Sequence, residues 1–339
     1  MGPHPAVAQV RLAVRRALRG LEPGDLVLAA CSGGADSLAL AAALAFEAPA
    51  LGLRGGGVTV DHGLQPGSGS QAAAVLGQLE GLGLDPARIV RVSVAGPGQG
   101  SVPYPGPEAA ARSARYAALD QVASETAAAA ILLGHTRDDQ AETVLLGLAR
   151  GSGARSLAGM APRSGRYLRP LLQLGRAQVA AACAAGGLEP WQDPQNADQA
   201  FARVRVRTRL LPLMEELLGP GVAESLARTA EQLRADADAL DSLAAEQVQR
   251  LAGDDGLPAG LLGELPDAIR TRVLRAAALA AGCPAGALSA RHVSELDALV
   301  TSWRGQRWVD LPGEIRGQRR CGRLLFTARQ ESEGLGGRQ

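Results

Sequence analysis

An α/β fold is predicted: a parallel twisted sheet with helices on both faces, followed by a smaller, mainly helical C-terminal domain. Three observations carry this. Between residues 25 and 135 the short apolar runs DLVLAA, GVTV, RIVRVSV and AAILLG alternate with stretches of helical composition, the rhythm of parallel strands with crossover helices. From about residue 213 the composition turns acidic and helical, with breaks at Pro220, Gly253 and Pro258. The 339 residues, 46% apolar and 20% charged, are enough for two globular cores. The expected limits are 1–212 for the α/β domain, 213–330 for the helical domain and 331–339 for a frayed tail.

Taken in order, the first strand, DLVLAA, runs into SGGADS (32–37) and then an Ala/Leu stretch suited to a helix. Two glycines therefore sit in a strand-to-helix turn. Such a turn aims unpaired N–H groups at whatever lies beyond the helix N-terminus, where the peptide dipoles favour an anion. The same residues also suit a plain glycine turn capped by Asp36 or Ser37. DHGLQPGS (61–68) follows the second strand and GHTRDDQAET (134–143) the fourth, while the proline- and glycine-rich 95–109 reads as a loop before a helix beginning near Glu108. After RPLLQLGR (169–176) come another helix and a polar loop around Trp191–Asn196. Residues 304–328 read as short strands joined by turns.

Ligands of an open parallel sheet bind beyond the carboxyl ends of its strands, so three polar strand ends on one edge make a candidate site. Asp139 and Glu142, three apart, share a helix face near its N-terminus. Two carboxylates there suit Mg²⁺ or an amine, and Asp138 and Asp139 equally suit helix capping. His62 and His135 each stand at a strand end without metal-ligand spacing between them.

Composition removes rivals. All 35 basic residues are arginine. A Walker-type loop, which needs its lysine on the β/γ-phosphates, and lysine Schiff-base chemistry are therefore excluded. Cys31, Cys183, Cys283 and Cys321 form no C-x-x-C pair, which argues against a zinc ribbon, a dithiol site or a disulfide framework and fits a reducing cytoplasm. No stretch approaches about 18 uncharged apolar residues, so neither a membrane span nor an export signal is expected. Net charge is +1 but unevenly spread: residues 215–264 are acidic, whereas 201–210 holds four arginines and no acid, and 301–323 holds six arginines against Asp310 and Glu314. A polyanion would meet the two basic segments, unless those arginines only decorate solvated faces.

SGGADS is similar to the SGGxDS loop of the N-type ATP pyrophosphatases, the PP-loop superfamily of Rossmann-like enzymes that activate a substrate oxygen by adenylation. VDHGLQPGSGSQAAAV, EAAARSARYAAL, GHTRDDQAETVLLGLARGSGARSLAGM and QDPQNADQAFARVRVRTRLLP together resemble one branch of it, the tRNA(Ile)-lysidine synthetases. The resemblance covers about 27–212; beyond it only WVDLPGEIR and its surroundings match. It implies a cytoplasmic ATP-dependent ligase: ATP adenylates the C2 oxygen of the wobble cytidine in an isoleucine tRNA, and the ε-amine of free L-lysine displaces AMP. It further implies that Ser32, Gly33, Gly34, Ala35, Asp36, Ser37 and His62 hold ATP, with Asp36 also at Mg²⁺. Asp139 and Glu142 would receive lysine; Arg112, with Arg115 as a second candidate, would contact phosphate or the transition state; His135 would line the same pocket. Asp36, Arg112, His135 and Asp139 form the expected catalytic set.

Arg203 and Arg207, four apart in the acid-free window, are expected to share a face and contact tRNA phosphates. Val204 stands where the family often has asparagine, which removes a polar contact there. A homodimer is compatible with this reading. Two rivals remain: another PP-loop tRNA-modifying or adenylating enzyme, and a non-catalytic nucleotide-binding module, which would need neither Asp139 nor Glu142.

Overall fold

The structure is a computed structural model describing residues 2–63, 67–93, 107–151, 153–193, 197–251, 253 and 255–329. Residues 95–106 of the expected loop, 194–196 of the polar loop and the tail 331–339 lie outside the described residues. The chain divides into two compact units, Met1–Arg234 and Ala235–Gln339.

The first unit begins with α1 (Pro5–Ala17), β1 (Leu26–Ala30), α2 (Ala35–Ala50), β2 (Arg54–Asp61), α3 (Ser68–Gly81), β3 (Ala87–Arg91), α4 (Pro107–Glu125) and β4 (Ala130–Leu133). It continues through α5 (Arg137–Ala149), α6 (Ala154–Leu157), β5 (Arg163–Ser164), β6 (Tyr167–Leu168) and α7 (Arg176–Ala185) to α8 (Ala202–Arg205), α9 (Leu211–Leu218) and the start of α10 (Val222–Leu251). The strands lie in the order β3-β2-β1-β4-β6-β5, parallel except for the edge strand β5. Alternate residues of the central strands feed two cores. Val27, Ala29, Ala130 and Leu132 pack on the side of α1, α2 and α7, and Leu26, Leu28, Ile131 and Leu133 on the side of Leu119 and Val122 from α4. Burial on both faces is why β1 and β4 read as unbroken apolar runs.

Two glycines bring the strand ends into register with the helix that follows β1. Gly33 adopts φ +84°, and a Cβ on it would stand 2.7 Å from Val75 Cγ2. Gly134, just after β4, lies so near the first turn of α2 that a Cβ would meet the backbone of Asp36 and Ser37 at 3.2 Å. That approach sets residues 135–142 beside the loop 31–37.

The compact units part inside α10, whereas the expected domain limit is 212/213. The intervening residues belong with the first unit because Leu211, Met214, Val222, Ala223 and Leu226 pack on Ala141 and Leu145 of α5. In the second unit, the rest of α10, α11 (Ala259–Glu264), α12 (Asp267–Ala280) and α13 (Ala290–Thr301) accompany an antiparallel sheet. Its strands β7 (Leu257–Pro258), β8 (Val309–Leu311), β9 (Ile315–Arg320) and β10 (Arg323–Ala328) lie in the order β7-β10-β9-β8. Leu262, Val273, Leu274, Leu296 and Leu324 fill its core.

Gly33→Ala is expected to destabilise the protein by about 1–3 kcal/mol, part from the left-handed backbone and part from the Val75 contact. In a Val75→Ala background the contact is gone, so thermal unfolding should give a smaller cost for the same substitution. Equal costs in both backgrounds would refute the contact.

Candidate active site

The loop 31–37 is held from within by Ser37. Its hydroxyl donates to the Gly34 carbonyl at 2.9 Å and accepts from the Ser32 N–H at 3.2 Å. Gly34 precedes α2 with no side-chain cap, so Asp36 is free of capping duty. Its Oδ1 is buried without a hydrogen-bond partner among the described residues, and its Oδ2 lies 3.8 Å from Arg176 Nε. Burial pushes the Asp36 carboxyl up to about 6; Arg176 opposes the rise and Asp139 adds to it. A buried carboxylate oxygen with no donor among the described residues, in the first turn of α2, fits a divalent cation shared with phosphate oxygens. Among the described residues no group of three or more His, Cys, Asp or Glu is arranged to hold a metal ion, so such a cation would take most of its ligands from phosphate and water.

Across from the loop, the N-terminus of α5 is closed by a capping box. Thr136 donates to Asp139 Oδ2 through both its N–H and its hydroxyl, each at 2.8 Å. Asp139 Oδ1 accepts from Arg176 Nη2 at 2.8 Å and Arg207 Nη2 at 3.3 Å. Burial raises the Asp139 carboxyl, but Arg176 and the Thr136 donors outweigh it and hold the group below its usual range. One turn on, Glu142 is fully buried. Arg207 grips it in a fork, Nε to Oε1 at 2.7 Å and Nη2 to Oε2 at 3.1 Å, and Arg176 reaches Oε1 at 3.3 Å. Arg203 Nε stands 3.5 Å from Oε2, and its Nη2 donates to Thr143 Oγ1 at 2.9 Å. Three arginines thus balance Asp36, Asp139 and Glu142.

The arginines are delivered by local structure. Asp138 Oδ2 accepts from the Arg176 N–H at 2.7 Å, so it caps the start of α7 and places Arg176 between the three acids. A π-turn over Val206–Leu210 joins α8 to α9, and Val204 and Val206 are buried there. With the valines inward, Arg203 and Arg207 share a face as expected. That face turns onto Glu142, with about a quarter of each arginine side chain exposed.

On the other side of the site stands a basic group. Burial lowers His135 to about 4; Asp139 opposes the fall, while Arg169, Arg115 and Arg112 deepen it. Burial and then Arg115 lower His62. Nδ1 of both histidines and Nε of Arg169 are buried with no partner among the described residues. Arg112 lies over the Tyr116 ring, 5.1 Å from its centroid, and Nη2 reaches the Tyr116 hydroxyl at 3.3 Å. A cavity of about 110 Å³ between the loop and the end of β2 is lined by Ser32, Asp61, His62, Gln71, Trp191 and Asp193 among others. A larger one of about 330 Å³, among α1, α2 and α7, offers Arg11 alone as an ionisable lining residue, and its chemistry is apolar packing.

Ser32, Asp36 and Ser37 therefore lie in one loop, with Asp139 and Glu142 linked to Asp36 through Arg176. His62, His135, Arg112 and Arg115 lie within electrostatic reach of one another or of Asp139. Sequence reasoning missed Arg176, and it offered Asp138 as a cap of its own helix rather than of α7. Their only signal is an arginine that opens a helix after RPLLQLG and a second acid in the DD pair.

Asp36→Asn should stabilise the ligand-free protein at pH 8. A carboxyl raised from 3.8 to about 6 makes folding less favourable as pH rises through that window, by about 3 kcal/mol once fully ionised. The variant's gain, a few degrees in melting temperature, should vanish below pH 4, and a variant less stable than wild type at pH 8 would refute the assignment. Arg176→Gln removes the cation that holds Asp36 down, so Asp36 should titrate higher still, read by NMR of the carboxyl carbon.

The sequence matches the PP-loop domain model over residues 9–214 and the TilS substrate binding domain model over residues 257–325. It is 61% identical to a tRNA(Ile)-lysidine synthase of Thermobifida fusca and 54% to that of Streptomyces coelicolor, in each case over 96% of this chain and 99% of the relative. Among solved structures it is similar to the U34-tRNA thiolase NcsA from Methanococcus maripaludis, with a TM-score of 0.56 at 20% identity over 67% of this chain and 79% of that one. That likeness is one of fold. With a glycine turn at the carboxyl edge of a parallel sheet, and relatives matched along nearly their whole length, the chain belongs to the tRNA(Ile)-lysidine synthase family of PP-loop ATP-dependent ligases.

Proposed function

We propose that this chain converts the wobble cytidine of an isoleucine tRNA to lysidine, using ATP and free L-lysine. One observation carries the reading: Arg176 touches Asp139 and Glu142 and lies within ion-pair distance of Asp36, so a nucleotide subsite and an amine subsite share one guanidinium. In the first step the cytidine C2 oxygen attacks the α-phosphorus of ATP, a P–O bond forms, and pyrophosphate leaves. In the second the lysine ε-amine attacks C2, the C2–O bond breaks, AMP leaves, and the nitrogen loses a proton.

The residues fit these demands. The N-terminus of α2, where Gly34 carries no side-chain cap, would meet the departing pyrophosphate, and Ser37, which takes the Ser32 N–H and bonds the Gly34 carbonyl, keeps the turn in place. Mg²⁺, held by Asp36 and the phosphates, would neutralise the charge that develops there. Arg112, Arg115 and the neutral His135 and His62 surround a second region suited to a polyanion. Asp139 and Glu142 accept lysine's ammonium charge, displacing arginine donors. The arginines serve a further end: they offset the acids, so the ε-ammonium, with a pKa of about 10.4 in water, is not locked in its protonated form. On this reading the first unit is catalytic and the second contacts tRNA, and the reaction takes place in the cytoplasm. No described helix is long and apolar enough to cross a membrane. Sulfur transfer is disfavoured, because burial raises the Cys31 and Cys183 thiols away from the reactive thiolate.

Incubation with ATP, lysine and total tRNA should yield lysine-bearing cytidine by mass spectrometry; its absence from an ATP-consuming preparation would overturn the proposal. Asp139→Asn should raise the lysine requirement at least tenfold and the ATP requirement far less, whereas equal effects would assign Asp139 to the metal. The Arg203→Ala/Arg207→Ala pair decides between two roles. A lower salt dependence of tRNA affinity keeps them as phosphate contacts, and a raised lysine requirement with an unchanged slope places them in the amine pocket.

A further inference from the structure

We propose that the second unit presents a stacking surface for unpaired RNA bases, built on Trp303 and Trp308; the reading of the substrate as tRNA supplies the RNA, and the surface itself is a matter of this unit alone. Both indoles are exposed, at 47% and 41%, while Leu262, Leu274, Leu296 and Leu324 of the same unit are buried. A single exposed apolar side chain is ordinary; what marks this place is a pair of tryptophans five residues apart, each under an arginine.

Each indole is held rather than loose. The Trp303 N–H donates to the Gln306 carbonyl at 3.2 Å. The Arg319 guanidinium lies 5.1 Å from its ring centroid and is itself tied to the Leu299 and Val300 carbonyls at the end of α13. Arg316 lies 4.6 Å from the centroid of Trp308 and is fixed by Asp310, Nε to Oδ1 at 2.9 Å. The loop between the two rings is stitched by Gln306, whose Oε1 accepts from the Arg304 N–H at 2.6 Å and whose Nε2 donates to the Ser302 carbonyl at 3.2 Å. Each ring is thus oriented by its arginine while much of the indole stays exposed, ready for a flat guest.

Charge selects the guest. Arg304 and Arg307, between the two rings, and Arg320 on β9 are exposed and form no ion pair with a described residue. Residues 301–323 hold six arginines against two acids. An anionic chain that also carries flat rings satisfies both features, which describes single-stranded RNA: bases stack on the indoles and the arginines between them meet phosphates. A basic patch for polyanions in general would need no exposed indoles, and a duplex keeps its bases stacked on one another.

The chain has three tryptophans, so Trp191→Phe in the full chain leaves Trp303 and Trp308 as the fluorescent reporters. A single-stranded uridine oligonucleotide should quench that emission saturably, and heparin at equal charge should not. Trp303→Ala and Trp308→Ala should each weaken oligonucleotide binding about tenfold, with heparin binding unchanged, and Phe at either position should restore part of the loss. Equal loss for both probes, or no loss for either, would overturn the proposal. ATP binding measured without RNA, which reads the first unit alone, should be unchanged in both variants, so failure here is distinguishable from failure of the lysidine reading.

Discussion

Glu142 takes a carboxylate into complete burial one turn inside α5, and the site is organised by the need to balance it. A buried charge without partners costs several kcal/mol, and one with well-placed guanidinium donors can be accommodated. Arg176 arrives from α7, and Arg203 and Arg207 from the segment around the π-turn. Each belongs to a different stretch of chain from the acid it serves, so the cluster ties α5, α7 and the 202–210 segment together. Asp138, by capping α7, and Thr136, by bonding Asp139, keep that tie in register.

The same balance leaves the site poised. The three arginines match three acids, yet among the described residues Asp36 keeps a buried oxygen without a donor, and both histidines keep a buried Nδ1 without a partner. Unmet polar groups in a native interior call for a ligand or an ion. They fall on two sides of one region, acidic toward α5 and basic toward α4, which suits a reaction that brings a phosphorylated nucleotide and a cationic amine together. The geometry that allows this approach rests on the absence of two Cβ atoms, at Gly33 and Gly134.

The stacking surface of the second unit obeys the same logic with different groups. Arginines there are fixed from behind by helix-end carbonyls and Asp310, and they orient aromatic rings toward solvent rather than carboxylates toward a pocket. In both units arginine does the positioning, in a chain without a single lysine. Its planar fork can hold a carboxylate and lie over a ring, which a lysine ammonium does with less geometric control.

Strand and helix rhythm from 25 to 135, the glycine turn after the first strand, and the polar ends of three strands follow from periodicity and residue chemistry, and they were legible in the sequence. So was the pairing of Asp139 with Glu142, which depends only on helical spacing. Which way Arg203 and Arg207 point was not. Four arginines at alternate positions define no face in a regular helix, and it is the burial of Val204 and Val206, with the wider π-turn, that turns two of them onto Glu142. Arg176 was equally hidden, because its role depends on α7 starting beside Asp138, a contact between residues far apart in the chain. The sequence by itself determined local structure and the identity of the acids, since these depend on near neighbours. Only the tertiary structure decided which cations meet them, since electrostatic balance in a buried site is settled by through-space distance.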